Sequence, residues 1–159
     1  MLTLLVGPAQ AADTKAMTQR KGSGLPIPRF ATLKSDEVNV RTGPGSRYPI
    51  DWVFKRKGMP VEIVAEFENF RKIRDWQGAS GWVYQGLLTG KRSFIIPSKV
   101  AKLYKTPATS AEVIAKLEPE VMGEIRSCQG DWCRVKVSSV SGWLQRTEIW
   151  GVYKSEPVN

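Results

Sequence analysis

The chain of 159 residues contains no histidine and only two cysteines. Without histidine, a Ser-His-Asp triad, a Cys-His nucleophile pair and any histidine-ligated metal centre are excluded. Two cysteines cannot complete a four-ligand zinc site on their own. Long apolar runs are also missing: none approaches the roughly 18 residues that a membrane-spanning helix needs. Acidic side chains are few, 15 against 24 basic, for a net charge of +9. The sequence thus implies neither a cofactor nor a metal. A paired-carboxylate hydrolase needs no histidine, but the acidic residues are scattered among turns and alternating segments. The sequence therefore argues against an enzyme.

What is present points to a folded, exported protein. A hydrophobic fraction of 42% with six tryptophans is that of a globular chain, not a disordered one. Length allows one ordinary domain or two very small ones. Met1–Val6 is apolar and leads into Ala9-Gln10-Ala11-Ala12, the pattern of a secretory signal peptide over 1–12. No Lys or Arg precedes the apolar stretch, so the true start is expected upstream of Met1. Residues 13–29 hold four basic groups among Gly22, Gly24, Pro26 and Pro28, which reads as a flexible basic linker. Positive charge is spread along the chain: net +3 over 12–29, +4 over 30–92 and +2 over 93–159. Such a protein is drawn to anionic surfaces. Export argues against a nucleic-acid partner.

Three blocks recur in the same order. Val38–Pro44 matches Ala101–Pro107, Asn69–Ile73 matches Asp131–Val135, and Ser80–Val83 matches Ser141–Leu144, at offsets of 63, 62 and 61. Two copies of one plan follow, over 30–92 and 97–153, joined near 93–98 and followed by a tail at 154–159. The local pattern is β. Val61, Ile63, Ala65 and Phe67 alternate with Glu62, Val64 and Glu66, and Cys133, Val135 and Val137 alternate with Trp132, Arg134 and Lys136. Each predicts a strand with one buried and one wet face. Turn residues punctuate at Gly43-Pro44-Gly45, Glu68-Asn69, Gln77-Gly78, Gln129-Gly130-Asp131 and Ser138-Ser139. Ser110–Glu118 has helical propensity, but its counterpart at Tyr48–Arg56 is β-leaning. The repeat assigns loop plus strand.

The Val38-Asn-Val-Arg-Thr-Gly-Pro-Gly45 segment, Gly58-Met-Pro-Val-Glu-Ile-Val64, Phe70-Arg-Lys-Ile73 and Gly81-Trp-Val83 together resemble the bacterial Src-homology-3-like domain. The resemblance is close over 33–92 and weaker over 97–153, where Lys105-Thr-Pro-Ala108 replaces the Arg-Thr-Gly-Pro-Gly loop. It implies an all-β fold of two tandem small SH3-like β-barrels that bind and do not catalyse. The family commonly takes cell-wall peptides or protein partners. The expected ligand is peptidoglycan, with a periplasmic protein partner as the alternative, in the periplasm or cell envelope.

From the residues themselves, Arg41, Tyr48, Trp52, Phe70, Trp76 and Tyr84 are candidate ligand contacts, aromatic faces for a peptide or sugar and Arg41 for a carboxylate. Tyr104 stands where Arg41 stands in the first copy. Trp82 and Trp143 are expected to fill the two cores. Gly43 and Gly45 are expected to allow positive φ in their loop, and Gly81 and Gly142 to mark sharp bends. Cys128 and Cys133 flank a four-residue hairpin loop and can face each other across antiparallel strands, which predicts a structural disulfide.

Overall fold

The computed structural model describes residues 22–159. The expected signal peptide and residues 13–21 of the expected linker lie outside the described residues. Two antiparallel sheets hold nearly all regular structure. The first runs β1 (Arg29–Leu33), β2 (Val38–Arg41), β3 (Ile50–Phe54), β4 (Pro60–Phe67), β5 (Phe70–Arg74), β6 (Ser80–Tyr84) and β7 (Leu88–Thr89). The second runs β8 (Ser93–Ile95), β9 (Ala101–Tyr104), β10 (Val113–Leu117), β11 (Met122–Gln129), β12 (Trp132–Val137) and β13 (Val140–Gln145).

Their strand orders are β3-β2-β6-β5-β4-β1-β7 and β10-β9-β13-β12-β11-β8. Apart from β7 the two orders are the same, strand for strand. A single 3₁₀ turn follows the last long strand in each copy, at Gln85–Leu87 and Arg146–Glu148. Register agrees as well: Arg41 pairs with Trp82, and Tyr104 pairs with Trp143. The repeat in the sequence is therefore a repeat in space. Residues 110–118 form loop plus strand, as the repeat required. The expected turns at 68–69, 77–78, 130–131 and 138–139 each join neighbouring strands.

Each module has its own apolar core. Val38, Val40, Val61, Ile63, Ile73 and Val83 fill the first, and Phe94, Leu103, Val135 and Leu144 belong to the second. Trp82 and Trp143 do not fill these cores. Gly81 and Val83 point inward, so strand alternation turns Trp82 to the opposite face, where it is half-buried; Trp143, between Gly142 and Leu144, behaves alike. Gly81 and Gly142 lie within strands and do not mark bends. A Cβ at Gly142 would stand 2.7 Å from Leu103 Cγ and 2.8 Å from the Tyr104 carbonyl oxygen, and one at Gly81 would overlap Val40. These glycines let β2 and β9 pack closely over β6 and β13.

Three boundaries differ from expectation. Ser93–Ile95 is the first strand of the second sheet, and Ile96 is fully buried, so the connection is residues 90–92. The tail is part of the second core: Val158 is 8% exposed and bridges to Cys128. Residues 22–29 are held in place, with the Ser23 N–H donating to Glu66 Oε2 at 2.7 Å and Arg29 ion-paired to Glu66 at 2.7 Å. Cys128 and Cys133 are cross-strand partners with Cα atoms 4.1 Å apart, and the disulfide is formed.

Candidate functional site

The loop between β2 and β3 is built by its own residues. Gly43 and Gly45 do not adopt positive φ. The Tyr48 ring lies over both, and a Cβ on Gly43 would overlap that ring. The close approach of an aromatic face is what glycine permits here. Arg41 locks the loop from beneath, its Nη1 donating to the carbonyls of Ser46 at 3.1 Å and Tyr48 at 2.9 Å. Arg47 caps the outer side, its guanidinium 5.2 Å from the Tyr48 ring centre. The first role of Arg41 is thus to shape the loop.

Beside this loop lies a groove of about 280 Å³. It is lined by Asn39, Arg41, Ser46, Asn69, Phe70, Tyr84 and Leu87. Phe70 and Tyr84 are cross-strand partners on β5 and β6, edge to face at 6.0 Å, and Tyr84 is 48% exposed. Three of the candidate contacts, Arg41, Phe70 and Tyr84, thus come together. The other four do not line this groove. Tyr48 packs on the glycines. Trp52 leans on the first core and meets Phe54 edge-on at 5.8 Å. Trp76 sits in the β5–β6 turn, which Asp75 holds by accepting from the N–H groups of Gln77 and Ala79 at 3.0 and 2.8 Å. Tyr104 is buried, edge-on to Trp132 at 5.5 Å, and so is not a surface contact.

The second module explains that difference. Tyr104, Trp132 and Gln145 occupy the places of Arg41, Phe70 and Tyr84. The tyrosine ring closes onto Trp132, whereas the arginine reaches down to its loop and leaves Phe70 facing an open groove.

Asn39, Ser46, Asn69 and Leu87 were missed by sequence reasoning. Asn69, in the turn before Phe70, was the one detectable signal. Behind the groove, Arg71 is nearly fully buried. It donates to the carbonyls of Glu68 and Phe70 at 2.8 and 2.9 Å and to Gln85 Oε1 at 2.6 Å, and sits 3.3 Å from Glu66. Burial raises the Glu66 carboxyl pKa, but hydrogen bonds from Ser23 and Arg29 outweigh this and hold it below the usual range. These bonds fix the Glu68–Phe70 turn that carries the groove wall.

Among the described residues no cluster of three or more His, Cys, Asp or Glu side chains could hold a metal, and no helix is long and apolar enough to cross a membrane.

Two small all-β modules of one topology, each with its own core, define the class. The chain belongs to the bacterial SH3 domain family, whose model matches residues 34–90 and 98–151. It is 28% identical over 125 residues to YrvJ of Bacillus subtilis (strain 168), a candidate N-acetylmuramoyl-L-alanine amidase. That match covers 72% of this chain and 24% of YrvJ, so the chain spans about a quarter of the relative's length. Among solved structures it is similar to NlpC2 from Trichomonas vaginalis, at 12% identity and TM-score 0.37 over 79% of this chain and 49% of that one. It is also similar to an NlpC/P60 family protein from Bacillus cereus ATCC 10987, at 15% identity and TM-score 0.35, over 79% and 57%.

Proposed function

We propose that this chain is a non-catalytic binding module of an exported, envelope-associated protein, and that it recognises peptidoglycan peptides through the groove of the first module. The observation that carries the reading is that the half-buried Phe70 and the exposed Tyr84, edge to face, line one recess with Arg41, Asn39 and Asn69. An aromatic wall takes the apolar parts of a peptide or sugar, and side-chain amides and a guanidinium take its amide and carboxylate groups. Membership of the bacterial SH3 domain family and the likeness to a protein named as an N-acetylmuramoyl-L-alanine amidase support a cell-wall ligand.

The test is a pull-down on purified murein sacculi at about 0.1 and 0.5 M salt, where charge attraction is strongly and then almost fully screened. The native protein is expected to bind at both. A Phe70→Ala, Tyr84→Ala double variant is expected to lose binding at both, while a Tyr48→Ala, Trp52→Ala double variant keeps more of it. Retention by the first double variant would refute the groove assignment.

A further inference from the structure

Two residues that line the groove, Asn69 and Phe70, stand at the hairpin turn between β4 and β5. Glu68 opens that turn at φ +49°, left-handed backbone that a glutamate rarely adopts. The buried Arg71 guanidinium holds it. Nη1 donates to the Glu68 and Phe70 carbonyls, and Nη2 to Gln85 Oε1, while Gln85 Nε2 donates to Asn69 Oδ1 at 3.3 Å. Glu66 stands behind Arg71 with its side chain 8% exposed. Its carboxylate accepts from the Ser23 N–H and the Ser23 hydroxyl, each at 2.7 Å, and faces Arg29 Nη2 at 2.7 Å and Arg71 Nε at 3.3 Å. Three of these four partners come from residues 23–29.

The second module builds the same turn without that segment. Glu66 and Arg71 are cross-strand partners, and so are Cys128 and Cys133. Register thus places the disulfide where the first module has its ion pair. Gly130 takes the place of Glu68, at φ +55°, where glycine meets no Cβ clash. A guanidinium still reaches this turn, Arg146 Nε donating to the Gly130 carbonyl at 2.9 Å, but a glycine and a covalent bond hold it with no carboxylate behind them.

We propose that Glu66 and Arg71 are positioning residues for the groove, and that docking of residues 23–29 on Glu66 holds the groove in its binding form. With the segment docked, Glu66 has donors enough and leaves Arg71 free to hold the turn. With the segment released, Glu66 keeps Arg71 alone. A buried carboxylate stripped of partners draws on the one that remains, so the guanidinium turns to it and releases the Glu68 and Phe70 carbonyls. Glu68 then relaxes from its left-handed backbone, and Asn69 and Phe70 leave their places beside Arg41 and Tyr84. The second module, fixed by its disulfide, lacks this dependence. The proposal rests on the groove as the binding site and adds what controls it.

The test uses the full chain and two readouts, apparent affinity for purified murein sacculi and amide chemical shifts of the free protein. Ser23→Ala with Arg29→Ala changes no groove residue. It is expected to bind about tenfold more weakly and to shift the amides of Glu68, Asn69 and Phe70 but not those of Arg41 and Ser46. Lys55→Ala removes the same charge from an exposed ion pair of the same module and is expected to bind within about twofold of native. Glu66→Cys with Arg71→Cys transplants the second module's cross-link to the equivalent register. It is expected to unfold cooperatively in urea and still bind about tenfold more weakly, because a disulfide fixes register but does not hold the turn's carbonyls. Binding by this variant within about twofold of native reduces the pair to a register lock and overturns the proposal. Unmoved Glu68–Phe70 amides in the Ser23, Arg29 variant overturn it too. Failure of the native chain to bind sacculi overturns the groove reading instead, and the amide shifts still decide whether residues 23–29 set the turn.

Discussion

Replacing Arg92 by alanine tests how far the two modules depend on each other. The residue lies in the three-residue connection, yet its guanidinium reaches into the second module. It pairs with Glu156, donating to Oε2 at 3.0 Å, donates to the Gly151 carbonyl at 2.7 Å, and lies 5.7 Å from the Phe30 ring centre of the first module. Phe30 in turn packs on Trp150 and Tyr153, with ring centres 4.9 and 4.6 Å away. The Arg92 and Glu156 side chains are 17% and 26% exposed. Breaking one side of a fully buried pair costs about 3–5 kcal/mol, and an exposed pair contributes at most about 1 kcal/mol. This pair lies between those limits, and the buried Arg92 Nε without a partner lowers the figure. The loss is therefore about 2 kcal/mol, a large fraction for modules this small. At an m-value of about 2 kcal/mol/M, the urea midpoint falls by about 1 M. Arg92→Lys keeps the charge but not the fork, and is expected to recover at most half.

The same pair predicts a pH dependence. Burial raises the Glu156 carboxyl pKa, but hydrogen bonds from Arg92 and the Tyr153 N–H, with the charges of Arg92 and Arg146, outweigh it and hold the group below its ordinary 4.5. Between the lowered folded value and about 4.5 the unfolded chain binds more protons, so stability rises with pH there. The contribution is complete above the ordinary value and is lost as pH falls through the folded one. Urea titrations at stepped pH are expected to show a flatter acid limb for Arg92→Ala than for the native chain. A midpoint change below about 0.2 M, or an unchanged acid limb, would refute the reasoning.

Two further outcomes follow from the packing. Cys128→Ser with Cys133→Ser is expected to cost about 2 kcal/mol by loop entropy and to free the 154–159 segment that bridges to Cys128; urea melts and limited proteolysis from the C-terminus measure both. Ile73→Ala, at a fully buried site, is expected to cost about 2–5 kcal/mol. Trp82→Ala, on the half-buried face, is expected to cost less despite its larger side chain. The reverse order in thermal melts would return Trp82 to the core.

The all-β class and the doubled plan were legible because strand alternation, hairpin turns and repeated blocks are local signals, complete within a few residues. The disulfide was legible for the same reason: Cys128 and Cys133 are partners across one hairpin. The two tryptophans show where such signals run out. Size and apolarity favoured the core for Trp82 and Trp143, but the core face of each strand was set by which neighbours fit against β2 and β9, and glycine fitted. β4 shows the same limit. A register shift between Ile63 and Ala65 breaks its alternation and leaves Phe67 exposed. Glu62, on the face expected to be wet, is 5% exposed because the second module covers it, and accepts a hydrogen bond from the Tyr153 hydroxyl at 2.7 Å.

The sequence by itself determined the strands, their turns and the existence of two modules, since these rest on contacts between near neighbours. Only the tertiary structure decided which aromatic residues face outward, where Arg41 and Tyr104 part ways, and what lies between the modules. Those outcomes depend on side chains brought together from distant positions, and spacing along the chain carries no record of them.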